Sequence, residues 1–243
     1  MTDKITKLKQ MIKESDNIVF FGGAGVSTES GIPDFRSKDG LYNQKYKIPP
    51  ELILSHEFFI ENPEEFYRFY KDKMNSLDVK PNVTHIALAK LEEIGKLKCV
   101  ITQNIDGLHQ KAGAKNVAEL HGTILRNYCM RCKKRFDAEY VFDSKDVPKC
   151  ECGGTIKPDV VLYNEFLKDN VVQNAIDAIK NCDLLIVGGT SLTVYPATSY
   201  VENFNGKNLV IINRDKTDYD DKAELVINES LGDVFKEILK DYE

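Results

Sequence analysis

Short apolar runs recur along the chain and predict its strands. They cover residues 18–21, 99–102, 184–187, 209–212 and 225–227. Unbroken apolar runs of this length are typical of strands buried on both faces of a parallel sheet. Between the runs, apolar residues recur at helical spacing in residues 84–94, 171–179 and 231–239. This alternation predicts a doubly wound α/β fold with helices on both faces of the sheet.

Two segments interrupt the alternation. Residues 38–81 show no strong strand pattern, and Pro63 begins a predicted helix there with Asn62 as its N-cap. Residues 126–157 have little apolar content and contain four paired cysteines. We expect the two segments to form a small module. The main domain would then consist of residues 1–37, 82–125 and 158–243.

Composition and charge narrow the choice of partners. The 243 residues include 33 Lys and Arg against 38 Asp and Glu, a formal net charge of −5, which makes nucleic acid an improbable partner. No apolar run approaches the roughly 20 residues of a membrane helix. Apolar residues recur at helical spacing within residues 1–13, and this segment has no apolar signal-peptide core. We therefore expect a cytoplasmic protein that does not associate with a membrane.

A glycine-rich loop, Gly22-Gly23-Ala24-Gly25, follows the first predicted strand. Such a loop can direct backbone N–H groups at a diphosphate, or it can supply positive φ at a strand-to-helix turn, and the motif alone does not decide between the two. The dehydrogenase fingerprint is incomplete, because Thr28 stands at its third glycine and no acidic residue follows about 20 positions later. A hydride-transfer fold is therefore disfavoured.

Polar candidate residues lie after the second predicted strand and in residues 119–122. Carboxamide and carboxylate groups at Asn104 and Asp106 can together hold a ribose and a carboxamide, although either residue alone is more simply a loop cap. His121, in Glu119-Leu120-His121-Gly122, titrates near neutrality and can take a proton from a ribose hydroxyl. The alternative for His121 is a satisfied buried histidine.

Four of the six cysteines form two close pairs, Cys129-x-x-Cys132 and Cys150-x-Cys152. Four thiolates at such spacing can surround zinc and leave no open position, which predicts a structural zinc ribbon. Disulfide pairing is the alternative, and it is disfavoured in the cytosol. Cys99 and Cys182 lie beside apolar runs, so we expect them in the core.

Together these motifs resemble those of the sirtuins, a family of NAD-dependent protein deacylases. The resemblance is carried, in family order, by residues 23–27, 30–36, 102–109, 119–122, 189–197 and 211–213. It implies a Rossmann-like NAD-binding domain with a small module of helices and a zinc ribbon. In the implied reaction the oxygen of an acetyl-lysine protein or peptide attacks the anomeric carbon of NAD. The products are free lysine, nicotinamide and 2′-O-acetyl-ADP-ribose.

The resemblance also implies roles for individual residues. The implied catalytic residues are His121, as the base, Asn104 and Asp106. The other implied NAD-binding residues are Gly23, Ala24, Thr28, Asp34, Phe35, Arg36, Gln103, Ile105, Gly189, Ser191 and Asn213. Among these, Gln103 is assigned with Asn104 to the nicotinamide-side ribose, and Asp34 and Ile105 with Asp106 to the carboxamide. Phe35 would shield the anomeric carbon.

On the substrate side, the resemblance implies that Val161 lines an acyl-lysine tunnel. Tyr70 and Lys73 match a Tyr and Arg pair that binds acidic acyl groups in some members, with lysine in place of arginine. The alternative for Lys73 is an exposed helix lysine, and acetyl is the expected acyl group. His109 is expected to be structural, and His56 and His85 are expected at the surface or at helix edges.

The chain departs from the family pattern at three positions. Cys150-x-Cys152 is one residue shorter than the usual C-x-x-C, and Gly22 replaces a frequent threonine. Asn164 replaces a glycine in residues 158–165, the segment that the resemblance assigns to pairing with the substrate peptide.

Two other functions would use the same NAD site. One is a protein ADP-ribosyltransferase, and the other is a non-catalytic sensor of NAD or ADP-ribose, against which the retained His121 argues.

Overall fold

The computed structural model describes residues 2–34, 40 and 46–242. Its strands are β1 (Ile18–Gly22), β2 (Leu97–Thr102), β3 (Val117–Glu119), β4 (Gly122–Cys129), β5 (Arg135–Phe136), β6 (Ile156–Val160), β7 (Leu184–Gly188), β8 (Asn208–Ile212) and β9 (Leu225–Ile227). Its helices are α1 (Thr2–Glu14), α2 (Pro50–Ile53), α3 (His56–Glu61), α4 (Pro63–Met74), α5 (Val83–Glu93), α6 (Leu108–Lys111), α7 (Ala138–Phe142), α8 (Asp169–Asn181) and α9 (Leu231–Leu239). No helix among these residues is long and apolar enough to cross a bilayer.

Six parallel strands form the main sheet in the order β3-β2-β1-β7-β8-β9. The chain runs outward from β1 to β3 and later returns to the other side of β1 with β7. This is the strand order of Rossmann folds, in which ligands bind where the direction of winding reverses. The reversal lies between β1 and β7.

Helices cover both faces of this sheet, and the alternation of side chains along β1 shows why its apolar run is unbroken. Ile18 and Phe20 pack into one core with residues of α1, α5 and α9. Val19 and Phe21 point to the other face and pack into a second core that includes Ala175 of α8. All four β1 side chains are fully buried. The predicted doubly wound fold is confirmed, and α9 spans the predicted residues.

The small module contains the antiparallel sheet β5-β4-β6 and the helices α2, α3, α4 and α7. Phe59, Phe66, Tyr67 and Tyr70 from α3 and α4 pack against Ile124 and Ile156 of this sheet in a third core. Helix α4 begins at Pro63 as predicted. Strand β4 begins before residue 126 and β6 ends after residue 157, and the proposed domain boundaries remain a prediction.

Two histidines lie inside the main domain. His85 of α5 and His109 of α6 are fully buried, with their ring centroids 4.7 Å apart. The structural assignment of His109 agrees with this packing, whereas the expected surface position of His85 is wrong. His85 does lie at a helix edge, because its Nδ1 accepts a hydrogen bond from the backbone N–H of Asn82 and completes the capping box of α5.

Burial disfavours the charged imidazole at both positions. It lowers the pKa of His85 to about 4 and that of His109 to about 3. Among the described residues, no partner accepts from or donates to Nε2 of His85 or either ring nitrogen of His109. Protonation of either ring would therefore place an uncompensated charge in the core.

We predict a loss of stability in acid that His85→Gln reduces. The unfolded chain takes up a proton near pH 6.5 and folded His85 only near pH 4, so stability falls as the pH decreases through this interval. For His85 alone the loss between pH 7.5 and 5.0 is about 2 kcal/mol. Glutamine also completes a capping box but does not titrate. Urea unfolding at both pH values checks this, and equal pH dependence in wild type and variant would contradict it.

Candidate active site

Five polar loops meet at one edge of the main sheet. They follow β1, β2, β3, β7 and β8, the strands whose carboxyl ends point to this edge. Gly22 pairs with both Thr102 and Gly188, Thr102 pairs with Glu119, and Gly188 pairs with Ile212. Because these last residues are in register, the loops that follow them begin side by side at the switch point of the sheet.

The glycines after β1 permit a close approach between two backbones. The N–H groups of Gly23 and Gly25 donate to the carbonyls of Gly188 and Gly189, at 3.3 and 2.8 Å. A Cβ on Gly25 would lie 2.8 Å from Cα of Gly189. Neither Gly23 nor Gly25 has positive φ, so the positive-φ explanation of this loop is wrong. Two short 3₁₀ turns, Ala24–Val26 and Thr28–Ser30, follow instead of an α-helix.

Ser27 connects the polar residues that follow β2. It is almost fully buried, accepts a hydrogen bond from Nδ2 of Asn104 (3.0 Å) and donates one to Oδ2 of Asp106 (2.7 Å). The other carboxylate oxygen of Asp106 accepts from the N–H of Leu108, the first residue of α6. Asp106 therefore closes a loop, as the simpler interpretation expects, and also belongs to a polar cluster. Burial raises the pKa of Asp106, while these two hydrogen bonds oppose the increase.

The sequence analysis gave Ser27 no role, although it lies within the glycine motif. Thr190 was missed in the same way. Its Oγ1 accepts from Nε2 of Gln103 at 3.2 Å, and so joins the loop after β2 to the loop after β7. For both residues, the only sequence signal of a role in the site was a hydroxyl group within a matched motif. Which carboxamide each hydroxyl contacts depends on strand order, which the motifs do not contain.

His121 lies directly beyond β3, and its Nδ1 is 2.8 Å from the carbonyl oxygen of Gln103. A carbonyl can only accept, so in the neutral imidazole the proton is on Nδ1 and Nε2 keeps a free lone pair. Burial lowers the pKa of His121, and the hydrogen bond to Gln103 partly opposes this decrease. At neutral pH the ring is therefore an uncharged base in a fixed orientation.

The remaining NAD-binding residues predicted from the sequence lie around this cluster or outside the described residues. Gly189 has a φ of +60°, and Asn213 donates its side-chain amide to the carbonyl of Asp215 at 2.9 Å. Ser191 is exposed, whereas Ala24, Thr28, Asp34 and Ile105 are half-buried. Phe35 and Arg36 lie outside the described residues.

The donor set suits a dinucleotide. Two hydrogen-bonded groups, Ser27 with Asn104 and Asp106, and Gln103 with Thr190, match the donors and acceptors of a ribose and a carboxamide. The small residues after β1 lie at the carboxyl end of the sheet, where folds of this strand order bind the diphosphate of a dinucleotide. The residues present therefore fit NAD.

A tight turn follows Val161, whose N–H donates to the carbonyl of His121 at 2.9 Å. The carboxylate of Glu165 closes this turn by accepting from the N–H of Leu162, from His56 and from Lys157, at 2.8 to 3.0 Å. His56 is thus half-exposed at a helix edge, as expected, and also anchors the turn. The half-buried carboxylate of Glu165 and its three donors therefore hold the turn.

Asn164 takes the conformation that a glycine would take at this position. Its φ is +68°, a region that asparagine tolerates better than most residues. Its side-chain amide donates to Oε2 of Glu57 at 2.9 Å. The replacement of glycine therefore keeps the turn and adds a link to α3.

Tyr70 and Lys73 of α4 differ in their surroundings. Tyr70 is fully buried between the rings of Phe66 and Phe142, each with its centroid 5.5 Å away. The Tyr70 hydroxyl has no partner among the described residues. Lys73 forms an ion pair with Asp72 at 2.8 Å. Lys73 is therefore an exposed helix lysine with an acidic neighbour, as the alternative expects, and Tyr70 is enclosed.

The four paired cysteines converge in the small module. Their sulfur atoms all lie within 4.8 Å of one another, and the shortest separations are 3.4 and 3.6 Å. A tetrahedron with Zn–S bonds of about 2.3 Å has edges of about 3.8 Å, whereas a disulfide needs about 2.05 Å. All six cysteines are free, and Cys99 and Cys182 are buried as expected. The four sulfurs therefore fit zinc.

Two glycines allow the tight turn that the short spacing of Cys150 and Cys152 requires. In the turn after Cys150, Gly153 has a φ of +82° and donates to the carbonyl of Cys150 at 2.8 Å. A Cβ on Gly154 would lie 2.6 Å from the sulfur of Cys129. The N–H of Cys132 points at that same sulfur and lowers the pKa of Cys129, which favours the thiolate that a metal requires.

A Rossmann-ordered sheet with a dinucleotide-type site at its switch point, and with a four-thiolate module inserted, defines an NAD-binding α/β protein with a structural metal site. Comparison with known proteins makes this specific. A profile of the Sir2 family matches residues 23–196. The chain belongs to the Sir2 family.

Named relatives and solved structures agree with this assignment. An NAD-dependent protein deacetylase of Clostridium perfringens is 61% identical over 98% of this chain and 100% of its own length. One from Staphylococcus epidermidis is 48% identical over 97% and 96%. A Sir2 structure with a p53 peptide and NAD⁺ has a TM-score of 0.86, and a Sir2 variant with deacetylated p53 peptide and 3′-O-acetyl-ADP-ribose has 0.89. Each is 40% identical and covers 98% of both chains.

We predict that Cys150→Ala abolishes zinc binding and unfolds the small module, because three thiolates leave the site open and this module has a small core. Metal analysis should find about one zinc per wild-type chain and almost none in the variant. Cys182→Ala, at a buried cysteine outside the cluster, is the control and should keep its zinc. A zinc-free wild-type protein with an unchanged melting curve after chelation would contradict the assignment.

Proposed function

We propose that this chain is an NAD-dependent protein lysine deacetylase that transfers the acetyl group to ADP-ribose and releases nicotinamide. The observation that carries the proposal is the imidazole of His121. Its Nδ1 is occupied by the carbonyl of Gln103, and its Nε2 is free as a base at the edge where the cofactor loops meet. The names of its relatives support the same activity.

Each group around the site has a distinct task in this proposal. NAD supplies an anomeric carbon that becomes electrophilic as the bond to nicotinamide breaks. Gln103 and Asn104 bind the adjoining ribose, and Asp106, with Asp34 and Ile105, holds the carboxamide. Ala24, Thr28 and Arg36 line the diphosphate. The adenosine half is bound by Gly189, Ser191 and Asn213.

His121 moves the proton. Its Nε2 accepts a proton from the ribose diol, which allows the neighbouring hydroxyl to attack the acyl carbon. The imidazolium that forms is stabilised by the Nδ1–H bond to Gln103, which gains strength when the ring becomes charged. A fixed tautomer and orientation reduce the cost of reaching the reacting geometry. A sensor without turnover needs no such base.

The substrate peptide is proposed to lie along the segment that begins at Val161. Val161 is half-buried and joined to His121 by a backbone hydrogen bond, so a peptide bound beside it brings its acyl-lysine close to the base. Zinc bound by the four cysteines has a structural role, because all four positions of its coordination shell are filled by protein. Zinc holds β4 and β6 together at the end of this small sheet that lies away from His121.

Acetyl is the proposed acyl group. Lys73 is exposed and lacks the bidentate donor that arginine offers an acyl carboxylate, and Tyr70 is enclosed by aromatic rings. The cytoplasm is the proposed location, because a reducing compartment keeps the four cysteines as thiols available for zinc.

We predict that His121→Ala lowers kcat by about 10²–10⁴-fold, the usual contribution of a general base, while NAD binding changes little. Mass spectrometry of an incubation with NAD and an acetylated peptide measures the reaction, and calorimetry measures NAD binding. The peptide should lose the acetyl mass as acetyl-ADP-ribose forms. A gain of the ADP-ribose mass would identify a transferase instead, and unchanged turnover in the variant would exclude His121 as the base.

The pH profile provides a separate prediction. The reaction needs neutral His121, and burial lowers the pKa of this ring below 6.5. The acid limb of kcat/KM should therefore fall below pH 6.5, with full activity retained at higher pH until another group titrates. Initial rates between pH 5 and 8 check this. A limb at or above the ordinary histidine value would show that burial does not control this base.

A panel of acylated peptides tests the acyl preference. We expect acetyl-lysine to react at least about tenfold faster than succinyl-lysine, because a carboxylate removed from water needs a paired donor and this chain has no arginine at position 73. Lys73→Arg should raise the succinyl rate more than the acetyl rate if α4 faces the acyl group. Equal rates on both peptides in the wild type would refute the preference.

A further inference from the structure

Arg126 joins two almost buried carboxylates on either side of His121. Its Nη2 lies 2.7 Å from Oε2 of Glu119, and its Nε lies 3.0 Å from Oδ2 of Asp159. The side chains of Glu119 and Asp159 are only 10% and 6% exposed. Two separate donors of one guanidinium therefore satisfy two carboxylates that are largely removed from water.

These two carboxylates flank the catalytic segment. Glu119 is two residues before His121, and Asp159 is two residues before Val161, whose N–H donates to the carbonyl of His121. The bridge and this hydrogen bond close a ring. The ring runs from His121 to Val161, along the chain to Asp159, through Arg126 to Glu119, and back to His121.

The main-chain ladder is interrupted at the same place. Strand β4 pairs with β6 at Gly122 and Val160, and pairing resumes only at Asn127 and Pro158. Regular backbone hydrogen bonds therefore do not hold the intervening part of β4 to β6. The ion pair between Arg126 and Asp159 spans this gap, so the side chain supplies the attachment that the backbone lacks.

Other contacts do not replace the bridge. Glu119 accepts a second hydrogen bond from Gln110 at 2.7 Å, but that donor lies on α6 of the main domain. Asp159 also pairs with Lys168, which precedes α8, and hydrogen-bonds the side chain of Tyr128 on β4. None of these contacts connects Glu119 to Asp159. Among the described residues that contact these carboxylates, Arg126 alone contacts both.

We propose that Arg126 is a positioning residue, which fixes the backbone on both sides of His121 by bridging Glu119 and Asp159. The proposal rests on the assignment of His121 as the base. Without the bridge, the unpaired part of β4 loses its link between Glu119 and Asp159, and the backbone on either side of the imidazole is less firmly fixed. A displacement of about 1 Å is enough to reduce a rate by 10–100-fold.

Three variants test the bridge. Arg126→Ala and Glu119→Ala each break the ring and change the net charge in opposite directions. Lys168→Ala is the matched control, because it changes the charge as Arg126→Ala does and removes a cation from the same Asp159, but leaves the ring intact. Melting temperatures establish that each variant is folded. If Arg126→Ala does not fold, Glu119→Ala against Lys168→Ala still decides.

We expect both ring variants to lower kcat at least about tenfold with the KM for NAD within about twofold, since their NAD contacts are intact. Lys168→Ala should keep kcat within about twofold of the wild type. Equal losses in Lys168→Ala and Arg126→Ala, or no loss in Glu119→Ala, would overturn the proposal.

A second measurement does not depend on activity. The chain has 4 histidines, so the ring resonances of His121 can be resolved by NMR and assigned with His121→Ala. These resonances should shift or broaden in both ring variants and stay unchanged in Lys168→Ala. Unchanged resonances in the ring variants would refute the positioning role. A wild-type protein without deacetylase activity would instead refute the proposed function and leave this comparison intact.

Discussion

The in-register pairing of β1 with β2 and β7 is the constraint on which the rest of the structure depends. Gly22 is level with Thr102 on one side and with Gly188 on the other, so three loops begin at the same height. Both faces of β1 are packed by helices, and a slip of one residue would exchange its two sets of side chains between unlike cores. Hydrophobic packing therefore fixes the position of the polar site.

Burial shifts the pKa values of Asp106 and His121 in opposite directions. Burial raises the pKa of Asp106 and lowers that of His121, and each change favours the neutral form. Hydrogen bonds then decide what each group can do. Ser27 and Leu108 donate to Asp106 and support its carboxylate, whereas the Gln103 carbonyl fixes the tautomer of His121. Ser27 and Gln103 thus set the hydrogen bonding of Asp106 and His121.

The small module contributes to the site through the backbone. The four cysteines hold the distal ends of β4 and β6, and Val161 joins the proximal end to His121. Arg126 bridges the part of this sheet where the ladder is interrupted. Metal, ion pair and backbone hydrogen bond therefore stabilise successive parts of one short sheet, whose own core is too small to do so.

The amino-acid sequence by itself determined five of the six strands of the main sheet and the cysteine cluster, because apolar runs and ligand spacing are local properties. The short strand β3 has no such run and was not predicted. Only the tertiary structure decided that His85 is buried, that the glycines serve a close approach to Gly189, and that Ser27, Thr190 and Arg126 connect the site. Each of these facts is a contact between segments far apart in the chain. Such contacts depend on strand order and register, which no single segment encodes.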